Sequence, residues 1–120
     1  MKSIKLSQGT GRTGVQLSTQ LIGSDLIVCI FNKKGHIGAV AVADYDFKEK
    51  RASTSIITRL GHKDDHVAYN AAYKLCRRLR KPVCVIAGIH VDNISKEEIA
   101  QITRNCDALL EKGIESICNY

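Results

Sequence analysis

The sequence is poor in aromatic side chains and in proline. It contains no tryptophan, one proline, two phenylalanines and four tyrosines. No apolar run is long enough to cross a bilayer, and residues 1–5 lack the apolar segment of a secretory signal. We therefore expect neither a membrane span nor a secretory leader, and few rings on which a flat ligand could stack.

Cysteine spacing of the zinc-binding or redox type is also missing. The five cysteines are odd in number, none forms a C-x-x-C pair, and four fall in apolar runs or on apolar helical faces. A free thiol in such a place behaves as a small hydrophobe. The pattern predicts a reduced, cytoplasmic protein.

Length and composition predict one ordinary globular domain over residues 1–120. The chain is 44% hydrophobic and 25% charged, with no linker, repeat or low-complexity tract. Its formal net charge of +6 favours an anionic partner. Charge alone does not distinguish a nucleotide from a nucleic acid.

The first half of the chain has the period of β-strands. Ile4 and Leu6 alternate with polar neighbours, and the alternation is clearer from Val15 to Leu21. Three further apolar or β-branched runs predict strands at residues 26–31, 39–43 and 53–58.

The pattern changes to that of helices near Asp64. Apolar residues recur at helical spacing from Ala68 to Leu79, with Asp64 or Asp65 as the N-cap. An apolar strand at residues 82–89 follows, and Ser95 opens a capping box before a second helix. The predicted core face of that helix is Ile99, Ile102, Cys106, Leu109 and Leu110, and Gly113 is predicted to end it. We expect an α+β fold, with a mostly antiparallel sheet of about six strands and two helices packed on one face.

Four turns combine a glycine with a histidine or a basic residue, at residues 9–14, 32–36, 61–66 and 88–93. Because hairpin strands alternate in direction, the first, third and fifth strands end at one edge of the sheet. A helical crossover returns the strand 82–89 in the fifth strand's direction, so its end joins them. We therefore expect all four histidines at one rim that binds a small anion.

Two kinds of ligand fit this rim. The backbone around Gly61, His62 and Lys63, ahead of a helix N-terminus, could bind phosphate, although no Walker motif is present. Alternatively, His62, His66 and His90 could bind a metal, since imidazole suits zinc, nickel and iron. His62 and His66 straddle a helix cap and so do not share a helical face, which disfavours the metal.

Other chemistries find less support. No Ser-His-Asp or Cys-His pairing indicates a nucleophile, and Cys84, inside an apolar strand, is predicted to be core. The basic run at residues 74–81 ends a helix and has few aromatics nearby, so it indicates a solvated face rather than a nucleic-acid surface. The residues therefore give no indication of an enzyme.

In its whole layout the chain resembles the LpdD-like domain family. The segments that carry the resemblance are S-T-S-I-I-T-R-L-G-H at residues 53–62, a helix, P-V-C-V-I-A-G-I-H at residues 82–90 and a closing helix. The resemblance spans residues 15–114. That family is described as a prenylated-flavin chaperone, the small D subunit associated with gallate-type decarboxylases of the UbiD type. The layout is more distantly similar to the type 4 proteasome-assembly chaperones.

The resemblance implies a non-catalytic protein that handles FMN or prenylated FMN, or that helps to assemble a larger enzyme. It also implies ligand contacts near Ser53, Ser55, Gly61 and His62. The competing hypothesis is a protein-only chaperone, which holds its partner by a sheet edge or an apolar face.

The residues at the rim suit the phosphate of such a flavin. Phosphate contacts are predicted at Arg12, Lys33, Lys34 and Lys63, and close backbone approach at Gly61 and Gly88. His66 and His90 complete the candidate site. The aromatic residues nearest to this site, and so the candidates for stacking on the flavin ring, are Phe31 and Tyr69.

The strands at residues 26–31 and 39–43 are apolar on both faces, which is typical of strands covered on both sides. Two helices on one face would leave the other face as an exposed apolar patch. We therefore expect a two-fold homodimer formed through the sheet.

Overall fold

Segments with alternating apolar residues form six strands, and two amphipathic segments form helices. The computed structural model describes residues 3–59 and 64–118. The strands are β1 (Lys5–Gln8), β2 (Val15–Ile22), β3 (Asp25–Phe31), β4 (Ala39–Asp46), β5 (Arg51–Thr58) and β6 (Val83–Gly88). The helices are α1 (Asp65–Leu79) and α2 (Lys96–Cys118), and a single 3₁₀ turn lies at Gly11–Thr13. The predicted α+β fold is confirmed.

The six strands form one mixed sheet in the order β1-β2-β3-β6-β4-β5. β6 pairs in parallel with β3, and every other pair is antiparallel. The expected directions are therefore confirmed, since β1, β3, β5 and β6 all end at the same edge. The assumption of successive hairpins is wrong at one point, because β6 lies between β3 and β4.

One face of the sheet, the covered face, packs against both helices. α1 lies against β4, β5 and β6, and α2 lies against β1 and β2. The inward residues of the central strands are almost fully buried there, as are the predicted helix residues Ala68, Leu75 and Leu109. Burial of these side chains is the main stabilising contribution to the fold.

The second helix begins as predicted and ends later. The Ser95 hydroxyl accepts the Glu98 N–H at 3.1 Å, and a Glu98 carboxylate oxygen accepts the Ser95 N–H at 3.1 Å, which is the predicted capping box. Gly113 does not end the helix, which runs on to Cys118. A Cβ at Gly113 would come within 3.2 Å of a Leu17 methyl, so this glycine lets α2 approach β2 closely.

Two other helix predictions need correction. Ile99 is not a core residue, since 50% of its surface is exposed. Asp64 is the N-cap residue of α1, as predicted, but its carboxylate makes no capping bond to that helix. It accepts the backbone N–H of Ile89 at 3.1 Å instead, and so ties the start of α1 to the end of β6.

The other face of the sheet, the open face, carries no helix. Its central residues alternate with the buried ones along β3, β6 and β4, and they are Ile27, Cys29, Phe31, Cys84, Ile86, Val40 and Val42. Cys84 is therefore half-buried on this face rather than in the core. Burial raises the pKa of its thiol, and the nearby Cys29 thiol raises it further by charge repulsion. In the described ranges no helix is long and apolar enough to cross a membrane.

Candidate functional site

A cleft opens at the edge of the sheet where β1, β3 and β6 end. It has a volume of about 360 Å³ and is called the polar cleft here. Its lining residues are Gly11, Arg12, Asn32, Lys33, Lys34, His90, Val91 and Asp92. Three of the turns named from the sequence meet at this rim, as predicted. They bring together four of the candidate residues, Arg12, Lys33, Lys34 and His90.

Arg12 is held at this rim by two partners from the far end of the chain. Its Nε donates to a Glu98 carboxylate oxygen at 2.8 Å, and a terminal nitrogen donates to the Asp92 carbonyl oxygen at 2.6 Å. The ion pair lowers the pKa of Glu98 to about 2 and raises that of Arg12. The 3₁₀ turn is thereby joined to the start of α2.

The Asp92 carboxylate is the resident anion of the polar cleft. One of its oxygens lies 2.8 Å from His90 Nε2, and the other accepts from Lys34 Nζ at 3.1 Å. Hydrogen bonds from His90 and Lys34 lower the pKa of Asp92. All three side chains are about half or more exposed, so water and solute anions can compete for these contacts.

Asn32 fixes the backbone of His90 by two hydrogen bonds from its side chain. Its amide nitrogen donates to the His90 carbonyl oxygen at 2.8 Å, and its amide oxygen accepts the His90 N–H at 3.1 Å. Asn32 is only 8% exposed. The loop after β6 is therefore attached to the loop after β3 by a buried polar contact.

Glycines allow those two loops to cross. The β3–β4 connection has to pass over the end of β6, and a Cβ at Gly88 would overlap the backbone carbonyl of His36. A Cβ at Gly38 would overlap the Asp64 carboxylate in the same way. The predicted close approach at Gly88 is therefore made by the protein's own backbone.

A second cleft, called the apolar cleft here, lies next to the first and has a volume of about 310 Å³. It is lined by His36, Asp64, Val67, Ile89, His90, Val91, Ile94, Ile99, Ile102 and Thr103. His90 and Val91 border both clefts. The imidazoles of His36 and His90 lie near the boundary, with their centroids 5.8 Å apart and their planes tilted by 53°.

Comparison with known proteins identifies the family. The sequence profile described as "Prenylated flavin chaperone LpdD-like domain" matches residues 9–118. The chain belongs to this family. A comparison with curated protein sequences finds no significant match.

The fold of this LpdD-like chain recurs in a protein of a solved yeast complex. That structure is titled "Crystal Structure of a Novel Chaperone Complex for Yeast 20S Proteasome Assembly". The match has a TM-score of 0.65 at 13% sequence identity, and it covers 98% of this chain and 95% of the other. At this identity the likeness concerns the fold.

Several predicted site residues do not line the polar cleft of the LpdD-like chain. Ser53 and Ser55 lie on the open face of the edge strand β5, opposite Asp44 and Val42. His66 lines a groove between the helices instead, with Asn70 among its neighbours there. The predictions for Gly61, His62 and Lys63 fall outside the described residues.

The metal hypothesis concerns His62, His66 and His90. Among residues 3–59 and 64–118, no group of three or more histidine, cysteine or acidic side chains is arranged to hold a metal ion. His90 has Asp92 as its polar partner, and His66 lies on α1 in the inter-helical groove.

The sequence interpretation missed the acidic half of the rim. Asp92 lies within the glycine–histidine turn at residues 88–93, and Glu98 lies within the capping box. The sequence predicted only the cations as site residues, and neither carboxylate. Asn32 was missed for the same reason. A usable signal existed, since Asp92 and Glu98 follow closely after His90 in the chain and carry charge opposite to that of the predicted cations.

The two clefts differ in the side chains that line them. The polar cleft carries Arg12, Lys33 and Lys34, whose guanidinium and ammonium groups donate to anions. The apolar cleft is lined mostly by aliphatic side chains. Phe31 and Tyr69 line neither cleft, and Tyr69 instead stacks on Tyr73 at 6.4 Å.

Proposed function

We propose that this LpdD-like protein is a non-catalytic chaperone that binds FMN or prenylated FMN by its phosphate at the polar cleft. The observation that carries the proposal is the contact of Lys34 and His90 with the Asp92 carboxylate, beside Arg12, which donates to the Asp92 backbone carbonyl oxygen. A second anion can take the place of this exposed carboxylate. Family membership supplies the class of ligand.

Phosphate binding in this proposal is an exchange of anions. The incoming phosphate accepts from Lys34 and His90, and the Asp92 carboxylate is released to water. Lys33 lines the same cleft and makes no ion pair with any residue in the described ranges, so it adds a further cation. Gly61, His62 and Lys63 remain predicted contacts from the sequence, whereas His66 lies in the groove between the helices.

Titration with FMN tests the cleft directly. The double variant Arg12→Gln/Lys34→Gln should bind FMN more weakly than the parent, and the difference should grow at low salt, where charges are least screened. The matched control is Lys48→Gln/Lys74→Gln, which removes the same charge from exposed positions elsewhere. If both double variants bind FMN as the parent does, the assignment of the polar cleft is wrong.

Asp92→Asn tests the exchange itself. Removing the carboxylate frees Lys34 and His90, so affinity for FMN should rise several-fold although a rim residue has been altered. A fall in affinity would show that Asp92 positions the ligand rather than standing in for it. Visible absorbance of the freshly purified parent gives the simplest first reading of bound flavin.

The partner implied by the family is a decarboxylase of the UbiD type, to which the chaperone would deliver its flavin. We expect the flavin-loaded protein to increase the yield of active decarboxylase when the two are mixed, and Arg12→Gln/Lys34→Gln to do so less. Equal yields with and without the chaperone would contradict this role. The second candidate function is a protein-only chaperone with no small ligand. The similarity to the yeast chaperone fold and the uncovered open face support it.

We further propose that the open face is covered by a second copy of the chain. Its central positions are uncharged, and charges occur toward the strand ends, as at Asp25, Asp44 and Asp46, so the face can meet its own copy without opposing like charges. Six strands about 4.8 Å apart, each running about 20 Å, cover roughly 600 Å² in plan. That approaches the ~800 Å² per partner of a stable interface.

Light scattering decides the oligomeric state. We expect a mass near twice the 13.2 kDa of one chain. Val42→Glu places a charge at a position 51% exposed in one copy, and should give a folded monomer. Phe47→Glu, in the β4–β5 turn and 68% exposed, is the control and should stay dimeric. A monomeric parent would contradict the dimer and favour a different protein on this face.

A further inference from the structure

The sheet has two edge strands, and they are protected against further pairing to different degrees. β1 has four residues and begins with Lys5, whereas β5 has eight residues, with no proline, glycine or charge after Arg51, its first residue. Proteins limit pairing at a sheet edge by keeping the strand short or by placing lysine or proline on it. β1 has two of these features and β5 has none of them. β5 is therefore an edge on which a further strand can form hydrogen bonds.

The backbone groups of β5 that point away from the sheet follow from its register with β4. Ile57 lies opposite Val40, and two residues further along the Arg59 N–H donates to the Gly38 carbonyl oxygen at 2.9 Å. Hydrogen-bonded pairs alternate along an antiparallel ladder, so the odd-numbered residues of β5 bond to β4. The N–H and C=O groups of the even-numbered residues therefore point outward, and these residues are Ala52, Thr54, Ile56 and Thr58.

Apolar side chains are exposed along this edge on both faces of the sheet. Ile56 lies opposite the buried Ala41, on the covered face, and is 37% exposed. Ile57 lies opposite Val40, on the open face, and is 75% exposed. Each isoleucine has a neighbour on β4 and none on its outer side, so a strand added beside β5 would cover both.

Helix α1 lies beside the same edge. Its flank toward α2 carries His66, Val67 and Asn70, which line the groove between the helices. Tyr69 and Tyr73 lie on the other flank, where their rings stack with planes 8° apart. Because α1 packs on β4, β5 and β6 while α2 packs on β1 and β2, this other flank is on the β5 side. A strand added to β5 would therefore have two tyrosine rings beside it to cover its apolar side chains.

The charges at the ends of β5 indicate what kind of strand fits. Arg51 begins the strand and Arg59 follows it, and within the described ranges neither arginine forms an ion pair. Antiparallel pairing of two β5 strands over their full length would place Arg51 opposite Arg59 of the second copy at both ends. Like charges directly opposite each other destabilise a strand pair. Carboxylates at the ends of a different segment would instead meet opposite charges.

We propose that the β5 edge binds an extended segment of another protein, which adds a seventh strand to the sheet. The segment matches β5 in length, has aliphatic side chains along its middle and carries carboxylates at both ends. No residue of β5 lines either cleft, so this docking does not depend on a flavin. The outward backbone groups point sideways from the sheet, so a second copy on the open face leaves them free.

An NMR titration with a peptide tests the inference. The probe is Glu-Asp-Val-Thr-Val-Thr-Val-Asp-Glu with both termini blocked. The backbone N–H resonances of the even-numbered residues of β5 should shift on binding, and those of the odd-numbered residues should shift less, since they stay bonded to β4. A peptide with lysines in place of the four acidic residues should bind about tenfold more weakly, because its charges repel Arg51 and Arg59.

Proline substitution separates the edge from the rest of the sheet. Ile56→Pro removes an outward N–H and no bond to β4, so the fold should be kept and the peptide should bind about tenfold more weakly. The matched control is Ser7→Pro on β1, where the Thr19 N–H donates to the Ile4 carbonyl oxygen at 3.0 Å, so that the odd-numbered residues point outward. This variant should bind the peptide as the parent does.

The charges are tested by Arg51→Gln/Arg59→Gln, which should weaken binding of the acidic peptide several-fold, and more so at low salt. Its control is Arg78→Gln/Arg104→Gln, which removes the same charge from exposed helical positions. This control should change the affinity much less. The arginine variants leave the backbone of β5 intact, so they test the inference even if Ile56→Pro does not fold.

Four results would overturn the inference. The parent could bind neither peptide, it could bind both equally well, or the shifts could fall outside β5. The fourth is a concentration-dependent shift of the β5 resonances without peptide, which would assign this edge to a second copy. None of these results affects the proposed flavin site, because titration with FMN reports on the polar cleft.

Discussion

The covered face of the sheet and the rim that holds the two clefts use opposite kinds of interaction. On the covered face, Val28, Leu75 and Leu109 are completely buried. At the rim, the side chains of Lys34 and Asp92 are 69% and 55% exposed although they form an ion pair. An apolar contact that is lost in the core has no replacement, whereas an exposed ion pair can exchange its partner for water or a ligand. Stability is therefore concentrated on the covered face, and the rim is free to change partners.

The largest expected effect tests the covered face. Leu109→Ala should lower the free energy of unfolding by about 2–5 kcal/mol, because it leaves a cavity under the sheet. Urea unfolding measures the change. Ile99→Ala on the same helix is the control, with an expected change within about 0.5 kcal/mol. Similar losses in the two variants would remove the distinction between core and rim.

Asn32 sharpens the comparison, because it is a rim residue that is buried like a core residue. Asn32→Ala should cost about 1–3 kcal/mol, since the N–H and carbonyl groups of His90 lose their partners away from water. Asn32→Asp keeps an acceptor for the N–H but has no donor for the carbonyl, and should fall between parent and alanine. Thermal unfolding of the three proteins checks this order. A change near zero for Asn32→Ala would show that water replaces the amide.

The capping box is the next smaller contribution. Ser95→Ala removes the hydroxyl that accepts the Glu98 N–H, and should cost about 1 kcal/mol. Ser95→Asp keeps an acceptor at the same position and should retain most of the stability. Both are measured by urea unfolding. An aspartate variant as unstable as the alanine variant would mean that the serine acts in some other way.

The smallest expected effect is the pH dependence from Glu98. Its pKa of about 2 in the folded protein lies below its ordinary value of 4.5. The Arg12–Glu98 pair therefore stabilises the fold above pH 4.5, and this contribution is lost as the pH falls through 2. The stability difference between parent and Glu98→Gln should shrink over that range.

The matched control for this pH series is Glu97→Gln in the same helical turn. The Glu97 carboxylate makes no ion pair within the part of the chain that the structure describes. Its stability difference from the parent should change less between pH 4.5 and pH 2. A constant difference for Glu98→Gln over this range would mean that the ion pair with Arg12 adds nothing to folding.

Local patterns predicted the elements of this fold well. The alternation from Val15 to Leu21 predicts β2, and the serine and glutamate at positions 95 and 98 predict the start of α2. The end of α2 was missed, since glycine commonly ends helices. Gly113 lies inside the helix instead, and Leu17 of β2 packs close against it. That contact joins residues distant in the chain, so no local pattern could reveal it.

The candidate site was predicted in part for a related reason. The direction of each strand follows from its connections, which is why Arg12, Lys33, Lys34 and His90 were expected at one edge. Strand order depends on pairings between distant segments, and the insertion of β6 beside β3 was not foreseen. That insertion places Asp92 among the cations and leaves Ser53 and Ser55 on the other side of β4.

The sequence by itself determined the kinds of element, their directions and the excess of cations at the rim, because these follow from hydrophobic period, turn residues and composition. Only the tertiary structure decided which carboxylates the cations contact, which glycines separate crossing backbones and where the apolar cleft lies. Those features depend on side chains far apart in the chain meeting at the end of β6. Such meetings are set by packing of the whole sheet and its helices, and no short stretch of sequence contains them.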